Sequence, residues 1–247
     1  MTTVPAELVR ALRQTSAVAV LTGSGVSAES GIPTFRGGGD SLWERYDPRE
    51  LATPEAFSRD PRLVWEWYLW RRSLVVEAEP NPAHLALAKM ERLVPSFTLI
   101  TQNVDGLHER AGSRNVLELH GNILRSRCTA EGEISEPRRQ EVPPRCRRCG
   151  ALLRPDVVWF GEMLPEGAVR AAFEASSSCG VFFSVGTSSL VYPAAALPEE
   201  ARASGALLVE INPEETPLTR QADFSFRESA SVVLPELVKR LRTQGDS

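Results

Sequence analysis

The strongest constraint on this 247-residue chain is a series of short apolar runs that each stop at a small or polar turn. The runs are Ala17–Leu21, Phe97–Ile100, Val116–Leu119, Val181–Val185 and Ala206–Ile211. Several lead at once into such turns: Thr22-Gly23-Ser24-Gly25, Thr101-Gln102-Asn103, Gly186-Thr187-Ser188 and Asn212-Pro213. Helical periodicity alternates with them at Glu7–Gln14, Pro82–Leu93, Glu166–Ser177 and Pro235–Leu241. This alternation predicts an α/β fold, a Rossmann-like parallel sheet with helices on both faces, and the turn residues should gather along one edge as a crevice.

Two stretches break the pattern. Residues 35–79 carry no convincing strand but do hold a helical pattern over Pro61–Val76. Residues 122–154 are polar, rich in Pro and Arg, and contain three of the four cysteines. The expected organisation is a Rossmann-like domain from 1–34, 95–120 and 156–247, a loop and helical insertion over 35–94, and a cysteine-bearing insertion over 121–155.

A net charge of -4 argues against a general nucleic-acid binder, and the Arg138, Arg139, Arg145, Arg147 and Arg148 cluster reads as a solvated loop. Met1–Pro5 lacks the basic region of a signal peptide, and the apolar runs are too short to span a bilayer. These features predict a cytoplasmic monomer with no membrane or stable nucleic-acid partner. Cysteines in such a chain point to metal or thiol use rather than a disulfide framework.

The densest polar chemistry lies in Thr101–Gly121, which holds Gln102, Asn103, Asp105, His108 and His120. Val116–Leu119 reads as a buried strand, which sets His120 at a strand end, where imidazole can take a proton near neutral pH. The segment Gly23-Ser24-Gly25-Val26-Ser27-Ala28 fits a G-x-G-x-x-A turn between a strand and a helix, a shape that cradles pyrophosphate but also occurs as a plain connection. A hydride-transfer enzyme would next show a strand ending in an acidic residue. Here the chain runs into Gly31–Gly39, where neither Asp40 nor Glu44 ends an apolar run. Phe35 and Arg36 in that loop suit closure over a ligand and equally suit ordinary loop residues.

At this point the chain resembles the sirtuin family of NAD-dependent protein deacylases. The blocks that carry the resemblance are GSGVSAESGIPTFRG at 23–37, TQNVDGLH at 101–108, LELHG at 117–121, PDVVWFGEMLP at 155–165, VGTSSLVYPAA at 185–195 and INPEETPLT at 211–219. The resemblance implies that NAD is consumed: the acyl oxygen attacks the nicotinamide ribose, nicotinamide leaves, and the alkylimidate so formed rearranges and is hydrolysed by water to free lysine and an O-acyl-ADP-ribose. It assigns His120 as catalytic base, with Asn103 and Asp105 beside it around the nicotinamide ribose. It assigns NAD contacts to Gly23, Ser24, Gly25, Ser27, Ala28, Glu29, Phe35, Arg36, Gln102, Asn103 and Asp105, and on the adenosine side to Gly186, Thr187, Ser188, Asn212, Glu214 and Ala230. Ser24 stands where the family usually has Ala. His108 reads as structural.

Val158, Phe160 and Gly161 match a strand that pairs with the backbone of an acyl-lysine protein substrate. Tyr68 and Arg71, three residues apart on one helix face, match the pair by which class III sirtuins bind succinyl, malonyl or glutaryl carboxylates. An aromatic beside arginines otherwise reads as core edge and solvated face, and Arg72 is taken as surface. Cys146 and Cys149 with Cys128 supply three ligands for a structural zinc; the family's fourth cysteine is missing, and Glu131 is the candidate replacement. Cys179 reads as a buried thiol. The leading expectation is an NAD-dependent lysine desuccinylase and demalonylase with weaker deacetylase activity. An ordinary deacetylase, a mono-ADP-ribosyltransferase and a non-enzymatic nucleotide sensor are the alternatives.

Overall fold

The computed structural model describes residues 3–34, 46–139 and 141–243, so Phe35 and Arg36 lie outside the described residues. Among the described residues there are eight strands: β1 (Val18–Thr22), β2 (Phe97–Thr101), β3 (Val116–Glu118), β4 (Gly121–Cys128), β5 (Leu153–Val157), β6 (Val181–Val185), β7 (Leu207–Ile211) and β8 (Phe224–Phe226). Six of them form a parallel sheet in the order β3-β2-β1-β6-β7-β8. The order reverses between β1 and β6, which is the place where doubly wound sheets bind ligands.

Both faces of this sheet are covered, so its strands need apolar side chains on each side. Val18 and Val20 of β1 join Leu99, Phe183, Val209 and Ile211 in one core, with the helices Ala6–Gln14, Pro82–Met90 and Ala230–Thr243. Ala19 and Leu21 point the other way and join Ile100, Phe182 and Leu208 against the helices Glu166–Ser178 and Leu197–Ala203. The period-2 alternation of side chains along a strand thus fills two separate cores from one run. Strand β3 departs from the expected buried strand: it is a half-buried edge three residues long. The last helix begins at Ala230, ahead of its expected start at Pro235, and holds that proline inside.

A smaller unit sits beside the sheet. Strands β4 and β5 pair antiparallel, with an irregularity between Asn122 and Ser126. Asp156, in β5, therefore belongs to the small sheet rather than to the large one. The polarity of β4 hid it from sequence reading: Arg125 and Arg127 both donate to the buried Asp156 carboxylate, so charge pairing does what apolar alternation usually does. The helix Pro61–Glu77 is capped by Asp60, whose carboxylate accepts from Leu63 N at 3.0 Å, with Pro61 in the first turn. It packs on the small sheet through Trp65, whose indole N–H donates to the Leu153 carbonyl at 2.7 Å.

Arg72 corrects its expected surface placement. Its guanidinium donates to the carbonyls of Ile123 and Arg125 and lies over the Trp65 ring, and burial lowers its pKa to about 10. Trp65, Trp67, Tyr68, Phe57 and Trp159 share one apolar cluster with Ile123, Leu153, Cys128 and Cys146. Among the described residues, no helix is long and apolar enough to cross a membrane.

The two halves of the large sheet meet through glycine backbone. Gly25 N donates to Gly186 O at 2.9 Å and Gly23 N to Val185 O at 3.1 Å. A Cβ on Gly186, which adopts φ +60°, would fall 2.5 Å from Val26 N. Gly186→Ala should therefore lower the unfolding free energy by about 2–5 kcal/mol, combining the left-handed penalty with overpacking. Urea denaturation checks this, and an unchanged midpoint would contradict it.

Candidate active site

Because β1, β2 and β6 run in register, Thr22, Thr101 and Val185 end level with one another. The loops that leave them, with Asn212 after β7, border a cleft of about 780 Å³ between the sheet edge and the small unit. Gly23, Ser24, Gly25, Ala28, Gln102, Asn103, His120, Gly186, Thr187, Ser188, Asn212 and Glu214 line it from the sheet side. Tyr68, Arg71, Val158, Phe160 and Gly161 line it from the small unit.

Other expected residues stand elsewhere. Glu29 is exposed and does not border the cleft. Ala230 is buried in the core at the start of the last helix. Ser27 and Asp105 lie behind the lining: Ser27 Oγ donates to Asp105 Oδ2 at 2.8 Å, and the other Asp105 oxygen accepts from Leu107 N at 2.9 Å. Burial raises the Asp105 pKa, opposed by those hydrogen bonds and by Arg71. Asn103 links this buried pair to the glycine loop, its Nδ2 donating to Gly23 O and to Ser27 Oγ, each at 3.1 Å.

Among the described residues, no α-helix directly follows the glycine loop. Two short 3-10 turns, Ser24–Val26 and Ala28–Ser30, take its place, and Gly31 closes the second in a left-handed conformation just before Ile32-Pro33. The cradle therefore rests on loop backbone rather than on a helix dipole.

His120 Nδ1 lies 2.9 Å from the Gln102 carbonyl. A carbonyl only accepts, so Nδ1 carries the proton and the Nε2 lone pair is left as a base. Burial lowers the His120 pKa, partly offset by that bond, and keeps the ring neutral. His108 is buried with Nε2 2.9 Å from Thr22 Oγ1, in keeping with its structural reading. His84 passed unnoticed in the sequence. Its Nδ1 accepts from Asn81 N within the cap of the helix Pro82–Met90, and its Nε2 lies 3.4 Å from Ser27 Oγ.

Residues 158–162, expected as a strand, form a loop along the cleft, with Val158 N donating to His120 O at 2.9 Å. Two contributors were missed. Glu210, buried in β7, accepts from Thr216, Thr219 and Ser225 and so anchors the loop after Asn212; a lone charge inside Leu-Leu-Val-Glu-Ile was the available signal. Trp159 lines the cleft and donates from Nε1 to Tyr68 Oη at 3.0 Å. Arg71 lies over the Trp67 ring, its guanidinium carbon 4.8 Å from the centroid.

Away from the cleft, ligand atoms of Cys128, Glu131, Cys146 and Cys149 lie within 4.8 Å of one another. The Cys128 and Cys149 sulfurs are 3.5 Å apart, near the roughly 3.8 Å edge of a tetrahedron with zinc–sulfur bonds of about 2.3 Å. Glu131 also pairs with Arg148. Cys179 is buried, donates to Ser176 O, and has its pKa raised to about 11 by burial.

Comparison with known proteins is consistent throughout. The sequence profile of the Sir2 family matches residues 23–193. An NAD-dependent protein deacylase of Aquifex aeolicus is 56% identical over 229 residues, covering 91% of this chain and 95% of the relative. One of Pyrococcus furiosus is 52% identical over 245 residues, covering 96% and 97%. A solved Sir2 homolog–NAD complex superposes with a TM-score of 0.90 at 50% identity, covering 98% of this chain and 95% of that one. A Sir2–p53 peptide–NAD+ structure gives 0.84 at 33% identity, covering 98% of each.

All three histidines have pKa values lowered by burial, His84 to about 4. The unfolded chain takes up their protons near about pH 6.5 and the folded chain resists, so stability falls as pH drops below that value. Urea midpoints should decrease steadily from about pH 7 to about pH 5, and a flat profile would contradict the burial of neutral imidazoles.

Proposed function

Because the chain belongs to the Sir2 family and is an NAD-dependent protein deacylase, we propose that it acts preferentially on acidic acyl-lysines, succinyl and malonyl and also glutaryl, with weaker deacetylation. The observation that carries the proposal is the position of Tyr68 and Arg71. Both are buried, and both line the same cleft as His120. A guanidinium pairs with a carboxylate in a planar fork and a phenol adds a further donor, whereas an acetyl methyl uses neither.

NAD, as co-substrate, would supply the ribose carbon that accepts the acyl oxygen as nicotinamide leaves, and with one water consumed in releasing the lysine the products would be free lysine, nicotinamide and an O-acyl-ADP-ribose. On this reading the glycine loops after β1 and β6 receive the pyrophosphate, and Thr187, Ser188, Asn212 and Glu214 border the adenosine end. Asn103 faces the nicotinamide ribose, braced from behind by Ser27 and Asp105. His120 takes a proton from a ribose hydroxyl at Nε2, its ring orientation fixed by the Gln102 carbonyl. Val158, Phe160 and Gly161 border the path of the substrate peptide.

The acyl reading is tested by comparing kcat/KM on succinyl- and acetyl-lysine peptides. The wild type should favour succinyl, and Arg71→Met should cut the succinyl rate by at least about tenfold, the scale of a lost charge-assisted hydrogen bond. A wild type that favours acetyl, or a succinyl rate untouched by Arg71→Met, refutes it.

We also propose that Cys128, Cys146, Cys149 and Glu131 hold a structural zinc that tethers the loop between β4 and β5. The spacing of the donor atoms supports this reading. Protein purified without added zinc should carry close to one equivalent by metal analysis, and Glu131→Ala should release it faster to a chromogenic chelator. Metal-free wild type that keeps its thermal midpoint would count against the site.

A further inference from the structure

Trp159 is held more firmly than a cleft-lining aromatic needs to be. The Arg154 guanidinium carbon lies 3.5 Å from the centroid of its ring, and the Phe57 ring packs 5.3 Å away. Its backbone N–H donates to the Glu162 carboxylate at 2.8 Å, and Glu162 in turn pairs with Arg154. Only 3% of the residue is exposed. This clamp fixes the direction of the indole N–H, which reaches the Tyr68 hydroxyl oxygen at 3.0 Å.

Indole nitrogen donates and cannot accept. The Arg71 guanidinium, its carbon 5.5 Å from the centroid of the Tyr68 ring, also only donates. The Tyr68 oxygen thus receives a hydrogen bond, and among the described residues its own hydrogen meets no acceptor. Burial raises the Tyr68 pKa, so that hydrogen stays in place.

We infer that Trp159 is a positioning residue for acyl-group choice: by occupying an acceptor site on the Tyr68 oxygen, it turns the phenol hydrogen toward the carboxylate of the acyl group. The inference rests on the acidic-acyl reading and deepens it. Tyr68 and Arg71 then present donors alone to the acyl terminus. An acetyl methyl leaves the phenol hydrogen unpaired in a dry site, while a carboxylate accepts from both.

Trp159→Phe removes the N–H while keeping a ring to stack on Arg154 and Phe57. The experiment measures kcat and KM on succinyl- and acetyl-lysine peptides for the wild type, Trp159→Phe, Tyr68→Phe and the double variant, with urea midpoints as a folding control. In Trp159→Phe the succinyl-to-acetyl ratio of kcat/KM should fall by about five- to tenfold, the scale of one hydrogen bond, chiefly through the KM for the succinyl peptide. In the Tyr68→Phe background the same change should move the ratio by less than about twofold, because no hydroxyl remains to orient.

Four outcomes overturn the inference, and they differ in what else they overturn. A succinyl-preferring wild type whose ratio is unmoved by Trp159→Phe removes the role of Trp159 and leaves the acidic-acyl reading standing. Equal losses on both peptides mark a general structural effect. A ratio change that persists in the Tyr68→Phe background shows that the indole does not act through the phenol. A wild type that prefers acetyl-lysine removes the acidic-acyl reading and this inference together.

Discussion

The cleft depends on a contact between two stretches of backbone. Gly25 gives its N–H to the Gly186 carbonyl where the strand order reverses, and neither glycine has room for even a methyl group there. Side-chain amides then tie this seam to its neighbours. Asn103 binds the carbonyl of Gly23, and Asn212 binds that of Thr187 at 2.8 Å. The loops that border the two ends of the cleft are therefore fastened to one another before any ligand arrives. An α-helix after the first loop is not needed for this, because the cradle is held by its opposite wall.

Behind the seam lies a polar layer that would be costly if any member were missing. Asn81, His84, Ser27, Asp105 and Asn103 are all buried; Asn81 pairs with His84, His84 meets Ser27, and Ser27 bonds both Asp105 and Asn103. Removing one would strand the desolvated group beside it, so the layer acts as a unit. It also separates two kinds of residue that share one short segment. His120 and Asn103 border the cleft, whereas Asp105 supports the wall from behind. The small unit uses the same principle with charges: Asp156 joins Arg125 to Arg127, and Arg72 satisfies carbonyls of the irregular strand opposite.

Strands β1, β2, β6 and β7 of the parallel sheet were legible because they are buried on both faces and read as near-continuous apolar runs, whereas the short edge strand β8, Phe224–Phe226, passed unread. The cleft was legible because its residues leave those strands in register and the turns are Gly, Asn, Ser and Thr. Strand β4 was not, since Arg125, Ser126 and Arg127 pattern as loop until Asp156, distant in sequence, is set beside them. Arg72 read as surface for the same reason, its carbonyl partners being on another element. Glu210 and Trp159 were overlooked because a single charge in a strand and a single aromatic near a turn gain meaning only from what they touch. His84 was hidden in a cap, where its role as the third residue of a helix masks its reach toward Ser27.

The described tryptophans, Trp65, Trp67, Trp70 and Trp159, all belong to the small unit or to the loop that leaves it, and the parallel sheet carries none. These four chromophores lie on one side of the cleft, and among them Trp159 lines it. Ultraviolet emission from these four tryptophans is therefore a local signal. It reports what happens around Tyr68 and Arg71 and is nearly blind to the six-stranded sheet on which the rest of the chain is built.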